Sequence, residues 1–332
     1  MYGDGLSVII CCYNSACRLP ATLKHLAGQQ LSAGTAWEVI VVDNASTDET
    51  AETAKAEWEK YGIPGVSFQV VAEEKPGLSH AREKGIRASV FRLVVFCDDD
   101  NWLSEDYLQI AYTAMSGDPA IAAVGGQSTA AADIPLPDWF EASKNNYAVG
   151  RQAEQSGDIS WRKHLWGSGL VIRKDLYNKA FSNFPSMLTG RNGKVLSSGE
   201  DSEICMRFLL MGYRLHYLEA LTFKHFIAAD RLRCDYNTKL MEGFIRAHEV
   251  LRIYARFIDA PGLPPKDRFP ATLRSLIKVL AARLTGTRRW NIFDEKLQIF
   301  MLTGYPFKSI PPQIRSIRRL SVHRKKHRLN DC

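Results

Sequence analysis

The chain has 332 residues, of which 45% are hydrophobic and 24% charged, and its net charge is +7. This composition is typical of a globular protein with a sizeable core, and it excludes collagen-like and intrinsically disordered chains. No run of about 18 uncharged apolar residues and no secretory signal pattern is present, so we expect neither a transmembrane helix nor secretion. Seven cysteines without a CxxC pair indicate free thiols in a reducing, cytoplasmic compartment.

Strand and helix signals alternate along the first hundred residues. Continuous apolar runs predict buried strands, and the segments between them carry apolar residues at helical spacing. Short buried strands that alternate with helices are typical of a mostly parallel βαβ-wound sheet, so the predicted fold class is α/β. The predicted strands are Leu6–Cys12, Trp37–Asp43, Val66–Val71 and Arg92–Cys97, and the predicted helices begin at Leu19, at a capping box in Ser46–Glu49 and at Leu78.

The pattern becomes irregular after Ser116. It predicts a strand that enters a helix within residues 165–177, a helix from Ser202 that ends at Gly212, and amphipathic helices over residues 239–258 and 273–284. Residues 229–332 contain 22 Lys and Arg against 9 Asp and Glu, a balance of +13, whereas residues 1–228 have a balance of −6. This asymmetry predicts two regions with different partners.

Three consecutive aspartates, Asp98–Asp100, follow the fourth predicted strand. Like charges this close repel one another, so the arrangement needs either a helix N-terminus just beyond it or a bound divalent cation with phosphates. Ligands of parallel α/β sheets bind at the carboxyl ends of strands, and Asp43 ends the second strand. The chain has no GxGxxG after the first strand and no GxxxxGK[ST], which disfavours a dinucleotide-binding or P-loop protein.

Four motifs occur in the order VIICCYN, VIVVDNASTDET, VVFCDDDNW and SSGEDSEICMRFLLMGY. They resemble those of glycosyltransferase family 2 from bacterial polysaccharide and glycan assembly, and a fifth, FKHFIAADRL, is similar to a segment of one branch. Members of this family invert the anomeric carbon and have the nucleotide-sugar-binding fold called GT-A. The resemblance implies a GT-A catalytic domain over residues 1–228, divided near residue 115 into nucleotide-binding and acceptor-binding halves, and a basic helical region over 229–332.

The resemblance also implies a donor site. Asp43 resembles the aspartate that contacts the nucleotide base, although it would also suit a turn into the next helix. Asp98 and Asp100 match the family's DxD pattern, in which the second aspartate binds Mg²⁺ or Mn²⁺ and the ion bridges the diphosphate. Asp99 is larger and more polar than the usual middle residue, so which carboxylates bind ribose and which bind metal stays open. His225 resembles a histidine near the metal or diphosphate, with a purely structural histidine as the alternative.

The catalytic base is expected in the fourth motif. Asp201 matches the family's base, because a carboxylate that accepts the proton of a sugar hydroxyl accelerates its attack, and Glu200 would bind acceptor hydroxyls. The alternative for both residues is helix capping. Further candidates are Gly167, Ser168 and Gly169 for close approach to the donor sugar, Trp166 for stacking on a sugar or for the core, Lys75 and Arg82 for the phosphates and, more weakly, Arg191 and Arg231.

The sequence therefore predicts a metal-dependent, inverting hexosyl- or N-acetylhexosaminyltransferase. Its donor would be a nucleoside-diphosphate sugar, with a UDP-sugar favoured, and its acceptor a glycan or a polyprenyl-diphosphate-linked glycan in cell-surface polysaccharide synthesis. The alternatives are another nucleotide-sugar enzyme, such as a nucleotidyltransferase, and a catalytically silent sugar-nucleotide binder. The basic C-terminal helices either bind an anionic membrane, peripherally at its inner face, or pack on the catalytic domain. No nucleic-acid partner is expected, because no recognition module accompanies the basic tail.

Overall fold

The computed structural model describes residues 2–182, 185–188, 198–259, 265–285, 292–303, 308, 310 and 314–320, with only the backbone at 265–268, 283–285 and 292. The chain forms two compact units, one of Met1–Leu209 with Tyr213–Leu251 and one of Leu210–Gly212 with Arg252–Cys332. The catalytic domain boundary predicted at residue 228 and its division near residue 115 stay predictions.

A nine-stranded sheet forms the centre of the first unit. Its strands are β1 (Gly3–Cys12), β2 (Trp37–Asp43), β3 (Ser67–Ala72), β4 (Phe91–Asp98), β5 (Asn101–Leu103), β6 (Ile121–Ala131), β7 (Gly157–Asp158), β8 (Val171–Arg173) and β9 (Arg214–Phe226). They lie in the order β3-β2-β1-β4-β8-β6-β9-β5, and β7 also pairs with β9. The pairs among β1 to β4 and the pair β6–β9 are parallel, whereas β5, β7 and β8 pair antiparallel with their neighbours. The predicted mostly parallel α/β fold is confirmed.

The helices α1 (Leu19–Ala27), α2 (Thr50–Glu59), α3 (Leu78–Ala88), α4 (Tyr107–Gly117), α5 (Phe140–Ser143), α6 (Lys174–Phe181) and α7 (Glu200–Leu210) connect the strands or follow them. Three further helices follow, α8 (Cys234–Asp259), α9 (Pro265–Thr285) and α10 (Ile292–Thr303), and residues 314–320 are also helical. The core lies between sheet and helices, where Val8, Val41 and Val95 are fully buried. None of the helices described is long and apolar enough to cross a membrane.

The helix after β2 begins later than the sequence predicts. The capping box at Ser46–Glu49 is wrong, because α2 begins at Thr50 and its N-cap makes no side-chain hydrogen bond. Instead, Ser46 Oγ accepts a hydrogen bond of 3.0 Å from the backbone N–H of Asn14. The polar residues after β2 therefore hold the neighbouring loop after β1, which a local pattern cannot reveal.

The segment after the three aspartates is also not a helix. A turn and the short strand β5 follow, and the next helix begins only at Tyr107. The helix-terminus explanation for Asp98–Asp100 is therefore wrong, since the helix dipole acts only within the first turn. Arg18 and Arg231 instead form ion pairs with Asp99 and Asp100.

Two long strands were missed in the irregular region. Strand β6 is rich in Ala and Gly, which are weak strand formers, and Gly126 lies so close to β9 that an added Cβ would be 1.8 Å from Leu221 O. Close packing between strands therefore overrides propensity there. Strand β9 does carry a signal, because burial alternates along Leu221–His225 with Thr222 and Lys224 exposed.

Candidate active site at the carboxyl ends of the strands

The ends of three parallel strands bring the predicted acidic residues to one edge of the sheet. In the strand register Asp43 lies beside Cys12, and Asp98 lies beside Cys11. Because β1 lies between β2 and β4, Asp43 and Asp98 are two strand spacings apart, about 10 Å. An extended ligand along this edge would meet both acidic positions.

Asp100 is the most buried of the three aspartates and lies between Arg231 and His225. Its Oδ2 accepts a 2.6 Å hydrogen bond from Arg231 Nη1, and its Oδ1 lies 3.3 Å from His225 Nε2. The pairing of β5 with β9 positions the histidine, because Asn101 lies opposite His225. Burial alone would raise the pKa of Asp100, but His225 and Arg231 outweigh burial and lower it below its ordinary value. Asp100 is therefore ionised.

The imidazole of His225 is held in one orientation. Its Nδ1 lies 2.6 Å from the carbonyl oxygen of Tyr147, and a carbonyl only accepts, so Nδ1 carries a proton. Nε2 therefore faces Asp100, and it carries a proton in the imidazolium and a lone pair in the neutral ring. A neutral imidazole nitrogen and a neighbouring carboxylate oxygen can together ligate a divalent cation.

Two protein ligands suit a cation that also binds a diphosphate. Among the described residues no group of three or more His, Cys, Asp and Glu side chains converges on a metal position. Mg²⁺ in phosphate-binding sites is commonly held by one or two carboxylates together with substrate phosphates and water. Asp100 and His225 therefore fit a cation shared with a substrate, and they do not fit a metal held by protein groups alone.

Asp99 points away from this pair. Its Oδ2 accepts hydrogen bonds from Arg18 Nη2, at 2.7 Å, and from Ser15 Oγ, and its carbonyl accepts one of 2.8 Å from Thr22 Oγ1. Burial and the charge of Asp100 raise the pKa of Asp99 to about 6. Asp99 therefore ties β4 to the start of α1, and the three aspartates tolerate one another because each has its own partners.

A glycine loop links Asp98 to Asp201. Ser168 Oγ donates a 2.7 Å hydrogen bond to Asp98 Oδ2, and the backbone N–H of Gly167 donates one of 2.8 Å to Asp201 Oδ2. A Cβ on Gly167 would lie 2.8 Å from Arg82 Nη2 and 3.2 Å from Asp201 Oδ2. Gly169 has a φ of +72°, and a Cβ added there would clash with the Tyr107 hydroxyl. The loop needs glycine for its approach to these side chains.

Asp201 is the second residue of α7 and does not cap it in the expected way. Its Oδ1 accepts a 2.7 Å hydrogen bond from the N–H of the next residue, Ser202, and its Oδ2 accepts the bond from Gly167. Ser202 Oγ also lies within a long hydrogen-bond distance of Oδ1, at 3.5 Å. A carboxylate has about four lone-pair sites, so this half-buried side chain keeps about one for a further donor. Both oxygens are oriented by backbone groups of two different segments.

Arg82 lies beneath the glycine loop. Its side chain is only 5% exposed, its Nη1 is 3.7 Å from Glu200 Oε1, and its guanidinium lies 4.9 Å from the centre of the Phe96 ring. Burial lowers the pKa of Arg82, but the neighbouring carboxylates, Glu200 first, outweigh burial and raise it. Nη1 makes no hydrogen bond to any described residue. Arg82 is thus the internal cation of this acidic edge.

The loop after β3 is held by a residue that the sequence did not single out. The buried Asn44 donates from Nδ2 to the carbonyl oxygens of Glu73 and Lys75, at 3.0 and 2.8 Å, and its Oδ1 accepts the N–H of Gly77. Its neighbour Asp43 is half-buried and accepts a 3.2 Å hydrogen bond from Ser46 N. Asn44 therefore fixes the backbone of the loop that carries the exposed Lys75.

Three predicted residues remain, and their positions differ. Trp166 is buried, and its backbone N–H donates to Gln152 Oε1 at 2.9 Å. Its ring stacks with the Arg162 guanidinium, so its surroundings are those of a core residue. Arg231, the weaker candidate, lies in the site through its bond to Asp100. Arg191 lies outside the described residues. The site thus brings together Asp98–Asp100, Gly167–Gly169, Glu200, Asp201, Arg82 and His225.

The chain is similar to one well-defined protein family over this region. A sequence model described as Glycosyl transferase family 2 matches residues 7–181, more than half of the chain. The chain belongs to this family. The match includes both strand-end acidic positions and the glycine loop, whereas Asp201 and His225 lie beyond it.

Two curated proteins illustrate the similarity to members of glycosyl transferase family 2. "Glycosyltransferase GlyA" of Streptococcus pneumoniae serotype 4 is 29% identical over 309 residues, 89% of this chain and 41% of that protein. "Cholesterol galactosyltransferase" of Borreliella burgdorferi is 30% identical over 113 residues, 34% of this chain and 30% of that protein. The chain thus spans well under half the length of these relatives.

Solved structures support the same fold for this family 2 chain. S. aureus TarS 1-349, crystallised in complex with UDP-GlcNAc, superposes with a TM-score of 0.55 at 17% identity and covers 98% of this chain and 92% of that one. GalNAc-T7 with UDP, GalNAc and Mn²⁺ superposes with a TM-score of 0.54 at 14% identity and covers 95% and 54%. At these identities the likeness establishes the GT-A type of fold.

Proposed function

We propose that the protein transfers a sugar from a nucleoside-diphosphate sugar to a hydroxyl group, with inversion at the anomeric carbon. The observation that carries this proposal is the Gly167–Ser168 link, which joins Asp98 to Asp201 through two hydrogen bonds of 2.7 and 2.8 Å. One rigid loop thereby couples an acidic donor edge to a carboxylate that can take a proton. Family membership supports the same reaction class.

The donor would lie along the carboxyl ends of β1, β2 and β4. Asp43 is proposed to bind the nucleotide base and Asp98 the ribose, and Lys75, on the loop held by Asn44, would approach the nucleotide from the rim. UDP-GlcNAc in the TarS structure and UDP in the GalNAc-T7 structure support a UDP-sugar as donor. The close backbone approach of Gly167 and Gly169 suits a loop that borders the donor sugar.

Asp100 and His225 are the proposed ligands of Mg²⁺ or Mn²⁺. Such an ion would act as a Lewis acid on the diphosphate leaving group. The protein's own contribution is to keep Asp100 ionised and to fix the tautomer of His225 through Tyr147. Arg231 now pairs with Asp100 and would add a second positive charge at the diphosphate.

Asp201 is the proposed general base. The acceptor O–H proton passes to a free lone pair of its carboxylate as the acceptor oxygen forms a bond to the anomeric carbon. The bond from that carbon to the phosphate oxygen breaks, and its electron pair leaves with the nucleoside diphosphate. The hydrogen bonds from Gly167 and Ser202 fix the carboxylate without protonating it.

Arg82 and Glu200 are proposed to support the base. Arg82 is buried among carboxylates, so we propose that it neutralises this edge and keeps the loop and α7 in place, in preference to the phosphate contact that the sequence suggested. Acceptor binding by Glu200 stays a prediction, because its side chain is buried beside Arg82. Sugar stacking by Trp166 likewise stays a prediction.

The acceptor is proposed to be a glycan or a polyprenyl-diphosphate-linked glycan, used in cell-surface polysaccharide synthesis. The similarity to "Cholesterol galactosyltransferase" of Borreliella burgdorferi supports a lipid-borne hydroxyl. A lipid-linked acceptor would require the enzyme to work at the cytoplasmic face of a membrane. The transferred sugar would be a hexose or an N-acetylhexosamine, as in UDP-GlcNAc.

A donor screen tests the proposed reaction. The full chain is incubated with a panel of UDP-, GDP- and TDP-sugars, with Mn²⁺ or with chelator, and the release of nucleoside diphosphate is measured. We expect release from one donor class that depends on the cation and on Asp201. In a parallel incubation with a nucleoside triphosphate and a sugar 1-phosphate, release of pyrophosphate would indicate a nucleotidyltransferase. Binding of a donor without any turnover would indicate a silent sugar-nucleotide binder.

A further inference from the structure

Helix α9 exposes a continuous apolar face. Phe269, Leu273, Leu276, Ile277 and Leu280 are separated by four, three, one and three positions, so they lie on one side of a helix with 3.6 residues per turn. Each of these side chains is between 41 and 74% exposed. Neither α10 nor any other described residue covers this face, which we call the α9 stripe.

The opposite face of α9 already has its partner. Val279 and Ala282 are buried, and Lys278 Nζ forms a 2.8 Å ion pair with Glu295 on α10. The α9 stripe is therefore a second apolar face of the helix, separate from the face that packs in the core. Globular monomers rarely expose a contiguous apolar surface of this kind without a function in binding.

The charge of the surrounding region selects the partner. Residues 229–332 carry a balance of +13, and Arg274 is exposed beside the stripe. A second copy of the chain would bring the same positive charge against it, which is unfavourable. The basic tail, residues 321–332, offers only Val322 and Leu329 as large apolar side chains to cover five exposed ones. An apolar face within a cationic region fits an anionic lipid surface.

We infer that α9 lies in the interface of a membrane containing anionic phospholipid, with the α9 stripe among the acyl chains and the basic residues at the headgroups. This inference names the surface by which the proposed enzyme would reach a lipid-linked acceptor. It stands on exposure and charge alone, and lipid binding is measured without any donor sugar. Its failure is therefore distinguishable from a failure of the proposed transfer reaction.

The test is co-sedimentation of the full chain with vesicles of phosphatidylcholine, with and without phosphatidylglycerol. We expect binding that requires phosphatidylglycerol and weakens with salt. The triple variant Phe269→Ser, Leu273→Ser and Ile277→Ser should lose about tenfold or more in binding, because three large apolar side chains no longer enter the interface. The matched control changes three exposed apolar residues elsewhere, Ile134→Ser, Leu136→Ser and Ile245→Ser, and should bind as the unchanged chain does.

A second variant and a second measurement keep the test decisive if the triple variant folds poorly. Arg274→Glu leaves the stripe intact and should weaken binding severalfold at low salt only. Sedimentation velocity without vesicles reports on self-association. Equal binding of the unchanged and triple variants would overturn the inference. The absence of binding to anionic vesicles would also overturn it. If a dimer forms in that case and the triple substitution dissociates it, the α9 stripe is an interface between copies of the chain.

Discussion

The two ends of the parallel strands differ in how their buried charged side chains are hydrogen-bonded. At the amino end Glu38 is 2% exposed, and its Oε1 accepts hydrogen bonds from Ser7 Oγ at 2.6 Å and from the N–H of Val90 at 2.8 Å. At the carboxyl end Arg82 is 5% exposed, and the nearest carboxylate oxygen of Glu200 is 3.7 Å away. The amino end is closed by these hydrogen bonds, whereas at the carboxyl end Nη1 of Arg82 makes no hydrogen bond among the described residues.

This difference separates stability from binding. A buried charge with its hydrogen bonds made holds strands together, and it offers nothing to a ligand. A buried cation that keeps an unused hydrogen-bond donor costs stability, and such groups persist where a substrate or an ion completes the site. The comparison therefore predicts large functional effects with modest stability effects at the carboxyl end, and the reverse at the amino end.

The largest effect is expected for Asp100→Ala. Loss of outer partners of a metal site typically costs 10–100-fold, so loss of a proposed ligand should lower UDP-sugar affinity in Mn²⁺ by about a hundredfold or more. Calorimetry with Mn²⁺ and with chelator measures this affinity. The comparison would break if the variant bound the donor as the unchanged protein does.

Arg82→Lys is expected to have the next largest effect. Lysine keeps the charge but lacks the planar fork beneath the glycine loop, so kcat should fall about tenfold while the KM for the donor stays unchanged. Steady-state kinetics separates the two parameters. A raised donor KM with unchanged kcat would instead place Arg82 on the phosphates, as the sequence suggested.

Asp99→Asn should sharpen the distinction within the three aspartates. Asp99 holds Arg18 and Ser15, so donor affinity should change by less than about threefold, far less than for Asp100→Ala. A hundredfold loss would make Asp99 a ligand and contradict the geometry. Calorimetry under the same conditions gives the comparison.

The same variant makes a pH prediction. The pKa of Asp99 is raised from 3.8 to about 6 in the folded protein. Its contribution to stability is therefore fully present below 3.8 and is lost as the pH rises through about 6. In chelator, the free energy of unfolding of the unchanged protein should fall relative to Asp99→Asn across this window. A parallel pH dependence of the two proteins, in urea unfolding, would contradict the raised pKa.

At the amino end, Glu38→Ala should leave kinetics unchanged within about twofold and lower the free energy of unfolding by about 1–3 kcal/mol, because two buried donors lose their acceptor. Glu38→Gln is the matched control, since its amide oxygen can still accept both hydrogen bonds. Urea unfolding and the donor assay check the two expectations. Loss of turnover without loss of stability in Glu38→Ala would remove the distinction between the ends.

The sequence predicts the first half of the sheet well because its strands are continuous apolar runs. Leu6–Cys12, Trp37–Asp43 and Arg92–Cys97 all lie within strands as predicted. The sequence does not predict β6, because Ala and Gly there follow from the closeness of β9. It also misplaces the start of α2, since Ser46 serves a loop that is distant in sequence.

The same contrast holds for the site. Asp43 and Asp98–Asp100 could be placed from strand ends alone, whereas Arg18 and Asn44 carry no local signal of their role. Arg18 is one cation at the start of a helix, and its importance appears only through Asp99 on β4. His225 was found by resemblance, and the alternation along β9 would have placed it on the buried face. Roles that depend on contacts between segments distant in sequence cannot be predicted from local sequence patterns.

Asp201→Asn tests the central claim most directly. General bases typically contribute 10²–10⁴ in rate, and asparagine can keep only one of the two hydrogen bonds from Gly167 and Ser202, at a cost of about 1 kcal/mol. We therefore expect a folded protein with nearly normal melting and donor affinity, and with turnover lower by at least about a hundredfold. Turnover within about tenfold of the unchanged protein would mean that Asp201 only orders the start of α7.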